Sequence, residues 1–233
     1  MIKENSKFKE MIKGFEVIVL YFILSIFSYS FLSLFGIDYN KLNDIFKQVY
    51  LVLYEVGTLL IIVFIYKKEF FTNFKEFRKN IFNNIKKYFK YWIVMLILMI
   101  LSNYIVSIFT TSNTPQNQQE IIKYFKLYPF YTFFSTIIIA PILEELVYRM
   151  SIKKMFSDTK VLFIIISGLF FGFMHVIGTL TSYSDLLFII PYSIPGFIFA
   201  YLYSKTDNIF TPISIHLIHN LLMFITNIII IFL

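Results

Sequence analysis

PFYTFFSTIIIAPILEELVYR, residues 129–149, is the stretch on which the reading of this chain turns. Its length is about the 20 residues that an α-helix needs to cross a bilayer core. Yet its second half carries Pro141, two adjacent carboxylates and Arg149. Further apolar runs of similar length lie at residues 15–36, 49–66, 91–110, 161–180, 185–204 and 209–232. Composition agrees: 58% of the 233 residues are hydrophobic and only 15% are charged, against about 45–50% and 25% in soluble domains. The expectation is an all-α polytopic membrane bundle of about seven transmembrane helices. It is read as a single membrane domain, 1–233, with a motif-bearing core at about 129–232 and an uncleaved first span.

The formal charge of +7 comes from 21 Lys and Arg against 14 Asp and Glu. The basic residues cluster in alternate loops. Lys3, Lys7, Lys9 and Lys13 precede the first span; Lys67, Lys68, Lys75, Arg78, Lys79, Lys86, Lys87 and Lys90 follow the second; Arg149, Lys153, Lys154 and Lys160 follow the fourth. This bias predicts a cytoplasmic amino terminus and an outer carboxy terminus in the cell membrane, with the charge directed at lipid headgroups. No nucleic-acid partner is implied. Cysteine is absent, which excludes disulfides, thiolate metal sites and a Cys nucleophile. Thirty Phe and 17 Tyr beside many Ile, Lys and Asn point to an AT-rich bacterial genome.

Phe70, Phe74, Phe77, Ile81, Ile85 and Phe89 recur at helical spacing among the basic residues of 67–90. They predict an amphipathic helix on the inner leaflet between spans two and three, the alternative being an extension of the third span. Residues 111–119, rich in Ser, Thr, Asn, Gln and Pro, read as an exposed outer loop.

An ionisable group at mid-membrane costs about 2.5–3.5 kcal/mol even on the mildest scale, so each one requires a partner or a task. Three such clusters occur. On the fourth span, Glu145 and Arg149 are four apart and can pair along one face. Glu144 points about 100° away, toward the bundle interior. Pro141 predicts a bend just before the acids. On the fifth span, Gly168 and Gly172 allow a close helix approach, with His175 one turn further on nearly the same face. On the seventh, Thr211-Pro212 reads as cap and first helical residue, His216 and Asn220 share a face, and His219 lies at its edge. Each cluster alone could be polar glue between helices. All three His of the chain, the acid pair and an Asn on three helices together point to one convergent site.

A carboxylate and an imidazole in reach of one water can serve as general base and orienting partner. A second imidazole and an amide can stabilise the oxyanion of a carbonyl under attack. The implied reaction is hydrolysis of a peptide bond without an acyl-enzyme. The same groups permit a metal-dependent version, with Glu144, His175 and His216 holding a divalent ion such as Zn2+ and a water in the fourth position. No HExxH or GxSxG string is present.

Taken in order, EExxxR (Glu144, Glu145, Arg149), FxxxH (Phe171, His175) and HxxxN (His216, Asn220) resemble the CPBP family: CAAX-prenyl endopeptidases and bacteriocin-processing proteins, also called Abi proteins. The resemblance covers about residues 140–220. It implies an intramembrane endopeptidase in which Glu144 and His175 activate water, His216 and Asn220 stabilise the oxyanion, and Glu145, Arg149 and Phe171 support the site. Members are described as metalloproteases, and a metal-free glutamate mechanism has also been proposed. The implied substrate is a membrane-associated peptide or protein, such as a bacteriocin or signalling-peptide precursor. The other role the family allows is a non-catalytic bacteriocin-immunity or scaffold protein. A proton-coupled carrier is disfavoured, since no inverted repeat of broken helices appears.

The depths do not match at once. Glu144 lies about 8 Å above Arg149, whereas His175 lies about 20 Å from the start of an idealised fifth span. Either that helix begins near residue 165, or the helices tilt and kink. Pro191 and Pro195-Gly196 in the sixth span would open a cavity, expected to face the cytoplasm or the lipid.

Overall fold

The computed structural model describes residues 2–110 and 114–232. Among them the fold is nine helices without a strand: α1 Ile2–Phe27, α2 Asp44–Ile65, α3 Lys67–Phe77, α4 Ile81–Phe109, α5 Gln116–Leu127, α6 Pro129–Met155, α7 Lys160–Ile177, α8 Ile189–Thr206 and α9 Phe210–Phe232. Six helical stretches among the described residues are long and apolar enough to cross a bilayer; they contain α2, α3 with α4, α6, α7, α8 and α9. The chain is a multi-pass membrane protein. Its outer surface bears this out, with Leu53, Phe64, Ile97, Ile105, Ile108 and Val161 exposed on a face that only lipid would tolerate.

The expected first span is the exception to a clean count of seven. Of residues 15–36 only those to Phe27 belong to α1, which carries Glu10 and Lys13 just before that run and Glu16 within it. Residues 28–36 form turns and a 3-10 helix, Phe31–Phe35, closed by Gly36 at φ 72°, a left-handed conformation that suits glycine. The amphipathic segment divides in two. Its first part is a separate helix, α3, and a 3-10 turn at Arg78–Asn80 then leads into α4, whose start extends the third span. The Phe face of α3 packs on protein: the rings of Phe70 and Phe74 lie 4.9 and 5.2 Å from that of Phe210 on α9. The expected outer loop is partly helical, since α5 starts at Gln116; residues 111–113 lie outside the described residues.

α6 corrects a second expectation. It runs to Met155, so Arg149 is not a loop residue but lies fully buried within the bundle. One apolar core joins the helices through Val17, Ile62, Leu146, Phe163, Ala200 and Ile213.

Ion pairs gather one end of the bundle. Lys154, just past the π turn of α6, pairs with Glu10 on α1 and with Glu69 on α3 at 2.9 Å, and Lys7 pairs with Asp158. Asn73 on α3 accepts a hydrogen bond from the Ile209 amide (2.8 Å) and receives one from the Asn208 side chain (2.9 Å), thereby capping the start of α9. The cap expected of Thr211 is thus supplied earlier, by Asn73 to the Ile209 amide and by Asn208 to the Phe210 amide at 3.0 Å. At the opposite end, Gln118 of α5 donates to Asn227 of α9 (2.9 Å), and Gln48 of α2 accepts from the Phe130 amide (3.1 Å).

Candidate active site

Two π-helical turns, Ser135–Ile139 and Leu146–Ser151, flank the acid pair of α6. The first has a definite local cause. In its register the Ala140 amide bonds the Ser135 carbonyl, five residues back. The next carbonyl, that of Thr136, would take its proton from residue 141, and Pro141 has none. Asn220 of α9 fills the vacancy, its Nδ2 donating to the Thr136 oxygen at 2.8 Å. The bend anticipated at Pro141 is this widened turn, and it fastens α6 to α9 beside the acids.

Glu144 and Glu145 then diverge as adjacent helical residues must. Glu145 is wholly buried; its Oε2 is 3.1 Å from Arg149 Nε, and its Oε1 accepts from His216 Nδ1 at 3.0 Å. Burying an ion pair carries a heavy desolvation cost that only good packing and extra polar contacts repay. Here the guanidinium carbon lies 4.5 Å from the centre of the Phe171 ring and 5.6 Å from that of Phe199, and Nη1 reaches Ser167 Oγ at 3.4 Å. Glu144 faces a cavity of about 530 Å³, its side chain 17% exposed.

The two imidazoles are oriented from behind. His175 Nδ1 is 2.8 Å from the Phe171 carbonyl, which can only accept, so the ring proton sits on Nδ1 and the Nε2 lone pair is free. Glu145 fixes the Nδ1 proton of His216 in the same way. Both Nε2 atoms then meet Glu144 Oε2, at 4.0 Å from His175 and 3.8 Å from His216. These gaps are too long for direct hydrogen bonds and suit one intervening water. Phe171 organises the cluster: its carbonyl holds His175, and its ring lies 4.2 Å from His175 and 5.9 Å from His216, centre to centre.

A carboxylate oxygen and two imidazole nitrogens with inward lone pairs form a donor set that suits a divalent ion such as Zn2+. The two distances from Glu144 are about half an ångström or more wider than the roughly 3.3 Å between ligands of a tetrahedral site with bonds of 2.0–2.1 Å. Among the described residues, no group of three His, Cys, Asp or Glu is already drawn together as a metal centre. Loading would require a small inward movement of Glu144.

The mismatch in depth is resolved without a late start for α7, which begins at Lys160. Because α6 continues to Met155, Glu144 lies 11 residues, about 16 Å, from that end rather than about 8 Å. The glycines do the rest. A methyl group on Gly196 of α8 would fall 2.7 Å from the Gly168 carbonyl oxygen, and one on Gly172 would fall 2.7 Å from that of Ile189, so α7 and α8 touch backbone to backbone.

Pro191 and Pro195 line the cavity, as expected. It leads from His216 past His219, Asn220, Met223 and Asn227 to Asn103, Thr114 and Gln118, which is the end opposite the Lys-rich one. Several contributors went unnoticed in the sequence reading. Tyr192 stacks on His175 at 5.1 Å, Phe199 stacks on His216 at 4.6 Å, and Ser167 accepts from Arg149. Tyr192, Pro195 and Phe199 repeat at three and four residues, so a single helix face joins them; in an apolar span that signal is drowned by its neighbours.

Residues 126–222 match the family described as Type II CAAX prenyl endopeptidase Rce1-like. Similar proteins include one named "Putative membrane peptidase YdiL" from Bacillus subtilis, 32% identical over 48% of this chain and 43% of that protein. Another is the UPF0177 protein YvdC of Lactococcus lactis, 30% identical over 55% of this chain and 47% of that protein. A Mycoplasma capricolum protein named only as uncharacterized is 29% identical over 82% of this chain and 59% of its own length. The chain spans about half the length of the curated relatives it matches. No solved structure matches it.

Proposed function

From the match of residues 126–222 to the CAAX endopeptidase family we propose that this chain is a CAAX-protease (CPBP) type intramembrane endopeptidase hydrolysing a membrane-associated peptide with water activated by Glu144 and His175. The carrying observation is the approach of His175 and His216 to one carboxylate oxygen, within 4.0 and 3.8 Å, on the wall of a cavity. A water between these atoms gives its proton to Glu144 while the Nε2 lone pair of His175 orients it. Its oxygen adds to the carbonyl carbon, and the electron pair moves to the carbonyl oxygen. Collapse breaks the C–N bond, and the proton held by Glu144 passes to the departing amine. Glu145, fixed by Arg149, keeps His216 in place. A divalent ion held by Glu144, His175 and His216 would supply Lewis acidity to the water and the carbonyl.

The cavity has an amide-rich outer rim, formed by Asn103, Asn117, Gln118 and Asn227, and no charged group other than Glu144. Such a lining suits an extended segment with uncharged side chains, its peptide groups hydrogen-bonded by the rim. If the Lys-rich end is cytoplasmic, as the positive-inside bias implies, the amide-lined part of the cavity lies toward the outer face, and the substrate would enter from there. A secreted bacteriocin or signalling peptide would approach from that side.

The test is cleavage of fluorescein-labelled casein and of quenched peptides by the purified protein in detergent. Glu144→Gln is expected to lower turnover more than about a hundredfold with folding intact, as loss of a general base does. Undiminished turnover would remove Glu144 from the mechanism. Metal content of the active preparation, measured together with the effect of a chelator, separates the two chemistries: stoichiometric metal and chelator-sensitive activity select the metal form, and full activity after stripping selects the metal-free one.

A further inference from the structure

His219 stands apart from the other two imidazoles. It is 7% exposed, lines the same cavity, and its Nδ1 is buried with no hydrogen-bond partner. It lies three residues beyond His216 on α9, about 4.5 Å further along the axis and about 60° around it, on the way to the cavity mouth. The tautomer follows from the surroundings. A proton on Nδ1 would strand a buried N–H donor, which folded proteins almost never leave unpaired, whereas an unpaired buried acceptor is more readily borne. The proton therefore belongs on Nε2, the nitrogen left to the cavity side.

The donors assigned by resemblance are differently placed. His216 spends its Nδ1 proton on Glu145 and, as a neutral ring, presents only a lone pair to the cavity. Asn220 spends one amide proton on the Thr136 carbonyl. Resting on the endopeptidase reading, we infer that His219 is a neutral N–H donor to the substrate, its Nε2–H holding the carbonyl oxygen that becomes negative when water adds. No proton leaves His219 in this role; it lends a hydrogen bond where charge develops, in a site of low dielectric.

Two arms test this, and the first needs no turnover. With only three His in the chain, protein labelled with 15N-histidine yields three imidazoles, and His219→Gln identifies the one that disappears. A protonated Nε2 and bare Nδ1 on His219 are expected; a proton on Nδ1, or an imidazolium, overturns the assignment. The second arm is casein cleavage. His219→Phe should lower kcat by roughly a hundredfold with KM little changed, and His219→Gln, which restores a neutral N–H, should return to within about tenfold of the parent. Parental kcat in His219→Phe, or a Gln variant no better than Phe, also overturns it. If the parent chain cleaves nothing, the endopeptidase reading fails, and the tautomer arm still decides whether His219 offers a donor.

Discussion

Asn220 illustrates how a residue legible in type can hold a task that the sequence does not disclose. As an amide in an apolar span it announces a polar role, and resemblance assigns it to the oxyanion. The structure has it first as the partner of the Thr136 carbonyl, which Pro141 deprives of a backbone donor. Asn220→Leu should therefore cost about 1–3 kcal/mol, the usual penalty for stranding a buried polar group. In a Pro141→Ala background, where residue 141 regains its N–H, the same change should cost markedly less. Thermal unfolding of the four proteins in detergent gives the coupling; additive losses would refute the link. The pairing of Glu145 with Arg149 was legible, because an i,i+4 pair is a property of one helix and needs no neighbour to be foreseen.

At the scale of elements, the close contact of α7 and α8 sets the depth of His175. The nearest atoms to a methyl on Gly196 are the backbone of Gly168, at 2.7 and 2.8 Å, so neither side can give way. Gly196→Ala should lower stability by about 1–3 kcal/mol through overpacking and reduce activity with it. Gly57, in α2, has open space where its methyl would go. Gly57→Ala should be neutral or stabilising by up to about 1 kcal/mol. Melting temperatures of the two variants check the contrast, and equal shifts would show that backbone contact at Gly196 is not what matters. The Gly168–Gly172 stripe was visible in sequence. Its partner was not, since a small-residue stripe does not say which helix will lie upon it.

At the scale of the whole molecule, the Lys-rich end and the amide-lined part of the cavity lie at opposite ends of the bundle. The chain has no Cys, so single cysteines report sidedness directly. Lys79→Cys should resist a membrane-impermeant maleimide in intact cells, while Tyr183→Cys, 94% exposed, should react; the reverse pattern would turn the protein over and direct its cavity inward. The sequence by itself determined that the chain is helical and membrane-spanning, and which ionisable residues need an explanation. Those are local properties of hydropathy, helical period and the cost of charge in lipid. It also held the order of the three polar strings. Only the tertiary structure decided that α6 runs on past Arg149, that α1 stops short, that Asn73 caps α9, and that Glu144 meets both His175 and His216. The last two depend on groups contributed by another helix, and a bilayer constrains how long a span is far more strictly than which of its faces a neighbour will cover.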